Sequence, residues 1–176
     1  MSAELPFNPF AFYGIEEQCF PDEAALRQTF LELSRKHHPD YFTADTPDHE
    51  EALHYAALNN KAWAVLSSFE RRVEWLLQHH GFIREGEKNV LPAAFLAEML
   101  DLNDLIAEAL AGDMPAREQA ESILETQIAE VQEGMAETAR TWDESRAPEA
   151  MKSLHEKFQE WRYLERLRRN FEEGTE

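Results

Sequence analysis

The triplet His38-Pro39-Asp40 places an imidazole, a rigid ring and a carboxylate in three consecutive positions. Proline ends the preceding helix and fixes its own φ angle, and it pushes His38 out of the helical region into an extended conformation. The sequence therefore predicts a turn that displays His38 and Asp40 between two helices. A carboxylate displayed in this way can form a charge-assisted pair with an arginine of a partner. The alternative interpretation is an ordinary turn that ends a helix, which can contain the same residues. The contact-site interpretation is favoured because the triplet directly follows an amphipathic helix and precedes a second helix.

The seven histidines raise the alternative of a metal site. His49 and His54 are five residues apart, whereas two imidazoles share one helix face at a spacing of four. Glu51 and His54 have the Glu-x-x-His spacing of di-iron bundles, but those need a second such motif on another helix. The sequence also has two adjacent pairs, His37-His38 and His79-His80. Adjacent histidines point about 100° apart on a helix, so neither pair is suited to chelate one metal ion. We therefore expect no metal and no cofactor.

Cys19 is the single cysteine of the chain. It cannot form an intramolecular disulfide, which is typical of a reducing compartment. No cation stands beside it to activate the thiol, so we expect a buried, inert side chain. The sequence also has no Gly-rich phosphate loop, and we therefore do not expect an enzyme.

The net charge of −18 follows from 17 Lys and Arg against 35 Asp and Glu. Nucleic-acid binding needs a broad basic footprint, so this balance argues against it. Anionic membrane surfaces are disfavoured for the same reason, and no apolar run approaches the ~20 residues of a membrane helix. The N-terminus resembles neither a secretory signal nor a mitochondrial presequence. We expect a cytoplasmic protein with no nucleic-acid or membrane partner.

The first part of the chain predicts an antiparallel pair of helices around the triplet. Asp22 is a suitable N-cap for a helix that ends near His37. Thr46 and Pro47 are suited to begin a second helix, which ends near Leu66. The residues expected to face inward on this second helix are Leu53, Ala57, Leu58, Ala62 and Val65. A short helix over 9–13 and another from about Ser68 to Gly81 complete this half.

The second part of the chain predicts three longer amphipathic helices, over about 92–111, 115–140 and 148–171. Their short connections predict an antiparallel three-helix bundle. The polar segment 84–90 is the best candidate for a linker. The predicted fold is therefore all-α, with one domain over 1–83, a linker over 84–90 and a three-helix domain over 91–176.

Residues 9–81 resemble a J domain, the module by which DnaJ-type co-chaperones stimulate the ATPase of DnaK-type chaperones. Further segments narrow the resemblance to the HscB type and extend it over nearly the whole chain. The Gly/Phe-rich and zinc-binding segments of generic J proteins do not occur in the sequence. The matching segments are NPFAFYG (8–14), LNNKAW (58–63), RVEWLLQHHG (72–81), AFLAEML (94–100) and RYLERL (162–167).

The resemblance implies a co-chaperone of iron–sulfur cluster biogenesis. Such a protein binds an IscU-like scaffold protein through its C-terminal helices and delivers it to an HscA-like chaperone of the DnaK type. It then promotes ATP hydrolysis by the chaperone, which traps the scaffold and favours cluster transfer. The co-chaperone itself carries out no covalent chemistry.

The resemblance also implies which residues touch the chaperone. His38, Pro39 and Asp40 match the ATPase-stimulating loop. Tyr41 stands where many J domains have lysine, so a charge is missing there.

The preceding helix is usually basic in J domains and contacts the chaperone. Here Arg27, Arg35 and Lys36 match it. Between residues 24 and 38 the sequence contains these three bases and one acid, Glu32, so the local net charge is 3 − 1 = +2. A solvated helix face is the alternative interpretation of the same charges, although local charge governs steering of a partner.

The scaffold-binding residues implied by the resemblance lie on the helix that begins near Pro92 and on the last helix. Leu96, Leu100 and Asp104 are four residues apart, so they share one helix face. Periodicity alone favours another interpretation, in which the leucines are bundle core and the acids face solvent. Ala97 stands where the family often has methionine, which reduces the apolar patch. The implied set is Leu96, Ala97, Leu100, Asp101, Asp104, Glu108 and Tyr163.

Two alternatives remain open from the sequence. The chain could be a J-domain co-chaperone for a different client, because only the C-terminal residues distinguish clients. It could also be an all-α metal-binding protein.

Overall fold

A computed structural model describes residues 7–84, 86 and 91–174 of the chain. Within these residues the secondary structure is helical and contains no β-strand, which confirms the predicted all-α class. A short 3-10 helix, Pro39–Tyr41, separates the second and third α-helices. The α-helices are α1 (Pro9–Tyr13), α2 (Glu23–Lys36), α3 (Pro47–Leu66), α4 (Phe69–His79), α5 (Ala93–Leu110), α6 (Met114–Ser145) and α7 (Pro148–Glu173).

The chain forms two compact units, Met1–His80 and Gly81–Glu176. The first contains α1 to α4, and the second contains α5 to α7. Most of the segment 84–90, which the sequence predicts as a linker, lies outside the described residues. The phenyl ring of Phe82 lies 6.2 Å from the imidazole of His155, so this residue packs with the C-terminal unit.

The starts of α2 and α3 are capped as predicted. The Asp22 carboxylate accepts hydrogen bonds from the backbone N–H groups of Ala24 and Ala25 at 2.9 and 3.0 Å. The Thr46 hydroxyl accepts one from the His49 N–H at 3.3 Å, and Pro47 occupies the first helical position. Both caps satisfy N–H groups that have no partner inside the helix. They fix the two helices on either side of the triplet.

The inward face of α3 differs from the prediction. Leu53 and Ala57 are exposed, and the buried face of the helix contains two alanines, one leucine and one polar residue. The polar residue is Asn59, whose side chain joins three helices by hydrogen bonds. The prediction is confirmed for Ala62, and Leu58 and Val65 are half-buried, but it was wrong for Leu53 and Ala57. It selected apolar residues by type and did not foresee the hydrogen bonds that bury Asn59. The buried α3 residues are Ala52, Asn59, Ala62 and Leu66.

Arg72 is a second buried polar anchor of the N-terminal unit. Its guanidinium donates to the backbone carbonyls of Cys19 and Leu66 and to the carboxylate of Glu23. One side chain thus connects the segment before α2, the end of α3 and the start of α4. Cys19 is fully buried, as predicted.

The C-terminal unit is the predicted three-helix bundle, in which α6 packs along α5 and α7. Helix α6 has 32 residues and spans about 48 Å. It continues past the predicted end at Arg140 to Ser145, because Arg146 ends it in the left-handed conformation with φ 54°. A glycine would be the usual signal for such an ending, and none is present there. None of the described helices combines the length and the apolar character that a membrane crossing requires.

The core of the bundle is built from all three helices. Its largest contributors on α6 are the predicted stripe residues Leu124, Ile128 and Val131. Met135 on α6 and Leu154 and Phe158 on α7 are also buried, as the apolar periodicity predicts. This core leaves other faces of α5 to solvent.

Candidate functional site

The turn at His38-Pro39-Asp40 is fixed by its own backbone. His38 is extended, with φ −70° and ψ 124°, as predicted from the proline that follows it. The Tyr41 N–H donates to the His38 carbonyl at 3.1 Å, and the Phe42 N–H donates to the Pro39 carbonyl at 3.0 Å. These bonds close a single 3-10 turn directly after α2.

The His38 imidazole takes part in this turn. Its Nδ1 accepts the backbone N–H of Asp40 at 3.3 Å. A neutral imidazole whose Nδ1 accepts a hydrogen bond carries its proton on Nε2. The loop therefore offers a partner a donor at Nε2. Half of the His38 side chain is exposed, so this donor can be reached from solvent.

The Asp40 carboxylate is the matching acceptor on the same turn. Its side chain is 83% exposed, and Oδ2 lies 3.8 Å from the His38 Nδ1. The exposed ring of Tyr41 lies beside His38, with 5.4 Å between the ring centroids. At the base of the turn, His37 stacks on Tyr55 of α3 at 4.4 Å. The turn is thus anchored to α3 through His37 and presents a donor, a carboxylate and an aromatic ring.

The three cations of α2 are exposed. Among the residues that the structure describes, no carboxylate lies within ion-pair distance of Arg27, Arg35 or Lys36. Other cations of this acidic chain do have such partners, as in the pairs Arg117–Glu121 and Lys157–Glu160. The unpaired charges of α2 are therefore available to an acidic partner.

Leu96 and Leu100 lie on the solvent side of α5. Leu100 is 65% exposed and Leu96 is also exposed. The buried face of the helix is formed by other residues, which fill the core next to α6. The alternative in which these leucines are bundle core is therefore wrong. The buried α5 residues are Phe95, Met99, Leu102, Ile106 and Ala109.

The remaining α5 residues of the predicted set flank the two leucines. With 100° per residue, the six α5 positions span an arc of about 140° on one side of the helix. All six are exposed, and they combine an apolar strip with a carboxylate ridge. They are Leu96, Ala97, Leu100, Asp101, Asp104 and Glu108.

Tyr163 of α7 is fixed against α5. Its hydroxyl accepts a hydrogen bond from the Asn103 amide at 3.1 Å, and that amide also donates to the Met99 carbonyl. Its ring meets the ring of Phe95 edge to face at 5.7 Å. The side chain is partly buried, so part of the ring remains accessible beside α5.

Sequence reasoning assigned no role to Asn59 or Arg72. Asn59 joins α1 and α3 to the half of α2 that leads to the turn, and Arg72 joins α4 to the end of α3 and the start of α2. Both residues could have been found from the sequence, because each is a polar residue at a helix position where the periodicity predicts an apolar one. Within the described parts of the chain, no group of three His, Cys, Asp or Glu side chains is arranged to hold a metal ion.

Comparison with curated proteins finds relatives of the chain. No protein-family model matches the chain. The "Co-chaperone protein HscB homolog" of Vibrio vulnificus (strain YJ016) is 34% identical over 119 residues, which cover 66% of this chain and 67% of that protein. The protein of the same description from Aliivibrio salmonicida (strain LFI1238) is 27% identical over 146 residues, covering 78% of this chain and 84% of the relative.

Solved structures show the same fold. The crystal structure of human co-chaperone protein HscB superposes with a TM-score of 0.73 at 20% identity, covering 98% of this chain and 84% of that chain. The chaperone HscB from Vibrio cholerae superposes with a TM-score of 0.62 at 22% identity, covering 94% of this chain and 96% of that chain.

Proposed function

The chain belongs to the HscB family of co-chaperones, and on this basis we propose that it serves iron–sulfur cluster assembly. In this proposal it binds an IscU-like scaffold protein and delivers it to an HscA-like chaperone of the DnaK type. It stimulates ATP hydrolysis by the chaperone, which then holds the scaffold and favours cluster transfer. The protein acts as an adaptor between two partners and is not an enzyme.

One observation carries the chaperone half of the proposal. The exposed turn at His38-Pro39-Asp40 directly follows a helix whose cations have no ion-pair partner among the described residues. Opposite charges on two proteins accelerate their encounter and fix their orientation. In our proposal the cations Arg27, Arg35 and Lys36 steer the N-terminal unit onto an acidic surface of the chaperone.

The turn then makes the contacts that matter for hydrolysis. The Asp40 carboxylate can form a charge-assisted pair with an arginine of the chaperone, and the Nε2 donor of His38 can bond an acceptor beside it. Pro39 keeps the two groups in fixed relative positions because its ring restricts φ. A rigid contact of this kind can favour one conformation of the ATPase, since a ligand shifts an equilibrium by binding one state more tightly.

The α5 surface supports the scaffold half of the proposal. An exposed apolar strip flanked by carboxylates has the composition of a protein-docking surface. The bundle core does not need Leu96 and Leu100, which are the residues most available for such a contact. Asp101, Asp104 and Glu108 would add charge contacts at the rim, and Tyr163 would extend the surface onto α7.

The two contacts belong to different parts of the chain. We propose a J domain over 1–83, a linker over 84–90 and a scaffold-binding domain over 91–176. This division lets one molecule hold both partners at once, which raises the effective concentration of the scaffold near the chaperone. We place the protein in the cytoplasm, because its single, buried cysteine suits a reducing compartment.

A co-purification experiment tests the adaptor role. Immobilised full-length chain is mixed with a purified HscA-like chaperone and an IscU-like scaffold of the same organism. We expect each to be captured alone and both to be captured together. Capture of the chaperone without the scaffold would overturn the scaffold half and favour a co-chaperone for a different client. Capture of neither protein would overturn the proposal.

A further inference from the structure

Arg166 lies on α7 beside Tyr163, at the edge of the surface proposed for the scaffold. Its guanidinium carbon is 5.7 Å from the centroid of the Tyr163 ring, and its side chain is exposed. At 100° per residue, Arg166 is about 60° from Tyr163 around the helix and nearly opposite the buried Leu164. Arg166 is therefore placed to touch any partner that covers the ring.

The positive charge of Arg166 has no ion-pair partner in the described part of the chain. Ion pairs on a helix form at spacings of three and four residues. Arg168 of the same helix has such a partner in Glu165, at 2.6 Å. The corresponding positions around Arg166 hold no acid, so its own helix cannot neutralise it. They are Arg162, Tyr163, Arg169 and Asn170.

The exposed leucines of α5 lie between Tyr163 and the carboxylates of α5. Asn103 marks the side of α5 that faces α7, because its amide bonds the Tyr163 hydroxyl. At 100° per residue, Leu96 and Leu100 lie about 20° and 60° from Asn103, away from the core. The three carboxylates lie further around in the same direction, at about 100° to 160°. They are Asp101, Asp104 and Glu108.

The surface is therefore polarised across the two helices. Carboxylates form one edge on α5, the leucines and the Tyr163 ring form the middle, and the cation of Arg166 forms the other edge on α7. Apolar contacts in the middle have little directionality. Opposite charges at the two edges do discriminate between orientations, because a partner turned by half a circle brings like charges together.

We propose that Arg166 binds an Asp or a Glu of the IscU-like scaffold protein and so determines the orientation of the scaffold on α5 and α7. A cation of the scaffold then meets the carboxylates of α5. The inference rests on the proposed function, because it adds a contact to the surface assigned there to the scaffold. It extends that surface past Tyr163 to a residue of opposite charge.

Titration calorimetry of the full-length chain with a purified IscU-like scaffold measures this contact. Arg166→Glu reverses the charge at the α7 edge. We expect the Kd to rise about tenfold, because a close pair of opposite charges becomes a pair of like charges. Arg166→Lys keeps the charge and should retain most of the affinity. An unchanged Kd for Arg166→Glu would overturn the proposal.

Arg169→Glu is the matched control, because it makes the same change in net charge on the same helix. Arg169 is exposed and lies about 120° from Tyr163 around α7, twice as far as Arg166. We expect its Kd to change by less than about twofold, since salt screens separated surface charges. An equal loss with Arg169→Glu would show that overall charge governs the affinity, and would overturn the contact at Arg166.

A charge exchange with the scaffold distinguishes a direct contact from an effect of Arg166 on the Tyr163 ring. Each exposed Asp and Glu of the scaffold is changed in turn to Lys. One such variant should bind the wild-type chain about tenfold more weakly and bind Arg166→Glu with nearly the original affinity. If no scaffold variant restores the binding of Arg166→Glu, Arg166 acts only through Tyr163 and the proposal falls.

The failure of this inference is distinct from failure of the proposed function. If the wild-type chain binds the scaffold and Arg166→Glu binds it equally well, only the assignment of Arg166 falls. If the wild-type chain does not bind the scaffold, the scaffold half of the proposed function falls together with this assignment.

Discussion

The Tyr13 hydroxyl donates a hydrogen bond of 2.9 Å to the Asn59 side-chain oxygen inside the N-terminal unit. The Asn59 amide nitrogen in turn donates to the Phe30 carbonyl and to the Ser34 hydroxyl, each at 3.0 Å. Both Tyr13 and Asn59 are buried. This network ties α1 and α3 to α2, the helix that ends at the His38 turn.

Removal of the Tyr13 hydroxyl should destabilise the N-terminal unit. Tyr13→Phe leaves the buried Asn59 oxygen without its donor, which costs about 1–3 kcal/mol. Urea denaturation followed by circular dichroism measures this free energy of unfolding. Tyr41→Phe is the control, because Tyr41 is largely exposed. Equal stabilities of the two variants would contradict the role of the network.

Because the Tyr13 hydroxyl is buried, we expect the N-terminal unit to lose stability at high pH. Burial raises the pKa of Tyr13 from its ordinary value of 10.0 to about 12. Because the pKa is higher in the folded state, the stability that depends on the neutral hydroxyl is complete below pH 10. It is lost as the pH rises through 12.

Subtraction of Tyr13→Phe isolates this effect from other titrating groups. The difference in unfolding free energy between wild type and Tyr13→Phe should be constant up to pH 10 and then fall, by on the order of 2 kcal/mol. A difference that stays constant to pH 12 or that grows would show that Tyr13 does not titrate in this way.

Helix starts in this chain could be predicted because they depend on local chemistry. Asp22 and Thr46-Pro47 determine the first turns of α2 and α3 whatever lies around them. The end of α6 could not be predicted, since Arg146 adopts a left-handed conformation that arginine disfavours and carries no recognisable signal.

The inward faces depend on packing between helices, which residue type alone does not determine. Leu53 is exposed and Asn59 is buried because the hydrogen-bond partners of Asn59 lie on α1 and α2. On α5 the apolar pattern contains more leucines than the core uses. The exposure of Leu100 could therefore be expected only from the family resemblance.

The cations of α2 should govern the salt dependence of chaperone binding. Arg35→Ala should raise the half-maximal concentration for stimulation about threefold at low salt, as expected for one peripheral charge. The effect should decrease as salt rises, because ions screen exposed charges. Arg169→Ala, which removes an exposed cation of the C-terminal unit, is the control. A salt-independent loss, or an equal loss with Arg169→Ala, would contradict steering by α2.

The scaffold contact should depend on Leu100. Leu100→Ser should weaken binding of the IscU-like scaffold about tenfold, because an exposed leucine that becomes buried in an interface contributes on the order of 1.5 kcal/mol. Isothermal titration calorimetry measures the Kd. Conversely, Ala97→Met enlarges the apolar strip and should strengthen binding.

Leu110→Ser is the matched control on the same helix. Leu110 is also exposed, and it lies ten residues further along α5, about 15 Å away. Its substitution should leave the Kd unchanged. If Leu110→Ser weakened binding as much as Leu100→Ser, the interface would be centred elsewhere on the bundle.

The central claim is that the His38 turn stimulates a chaperone ATPase. The most direct measurement is steady-state ATP hydrolysis by a purified HscA-like chaperone with saturating wild-type chain, and then with His38→Gln. We predict stimulation by wild type and none by His38→Gln, with unchanged thermal unfolding and unchanged scaffold affinity. Stimulation by His38→Gln at the wild-type level, from a folded protein, would contradict the account.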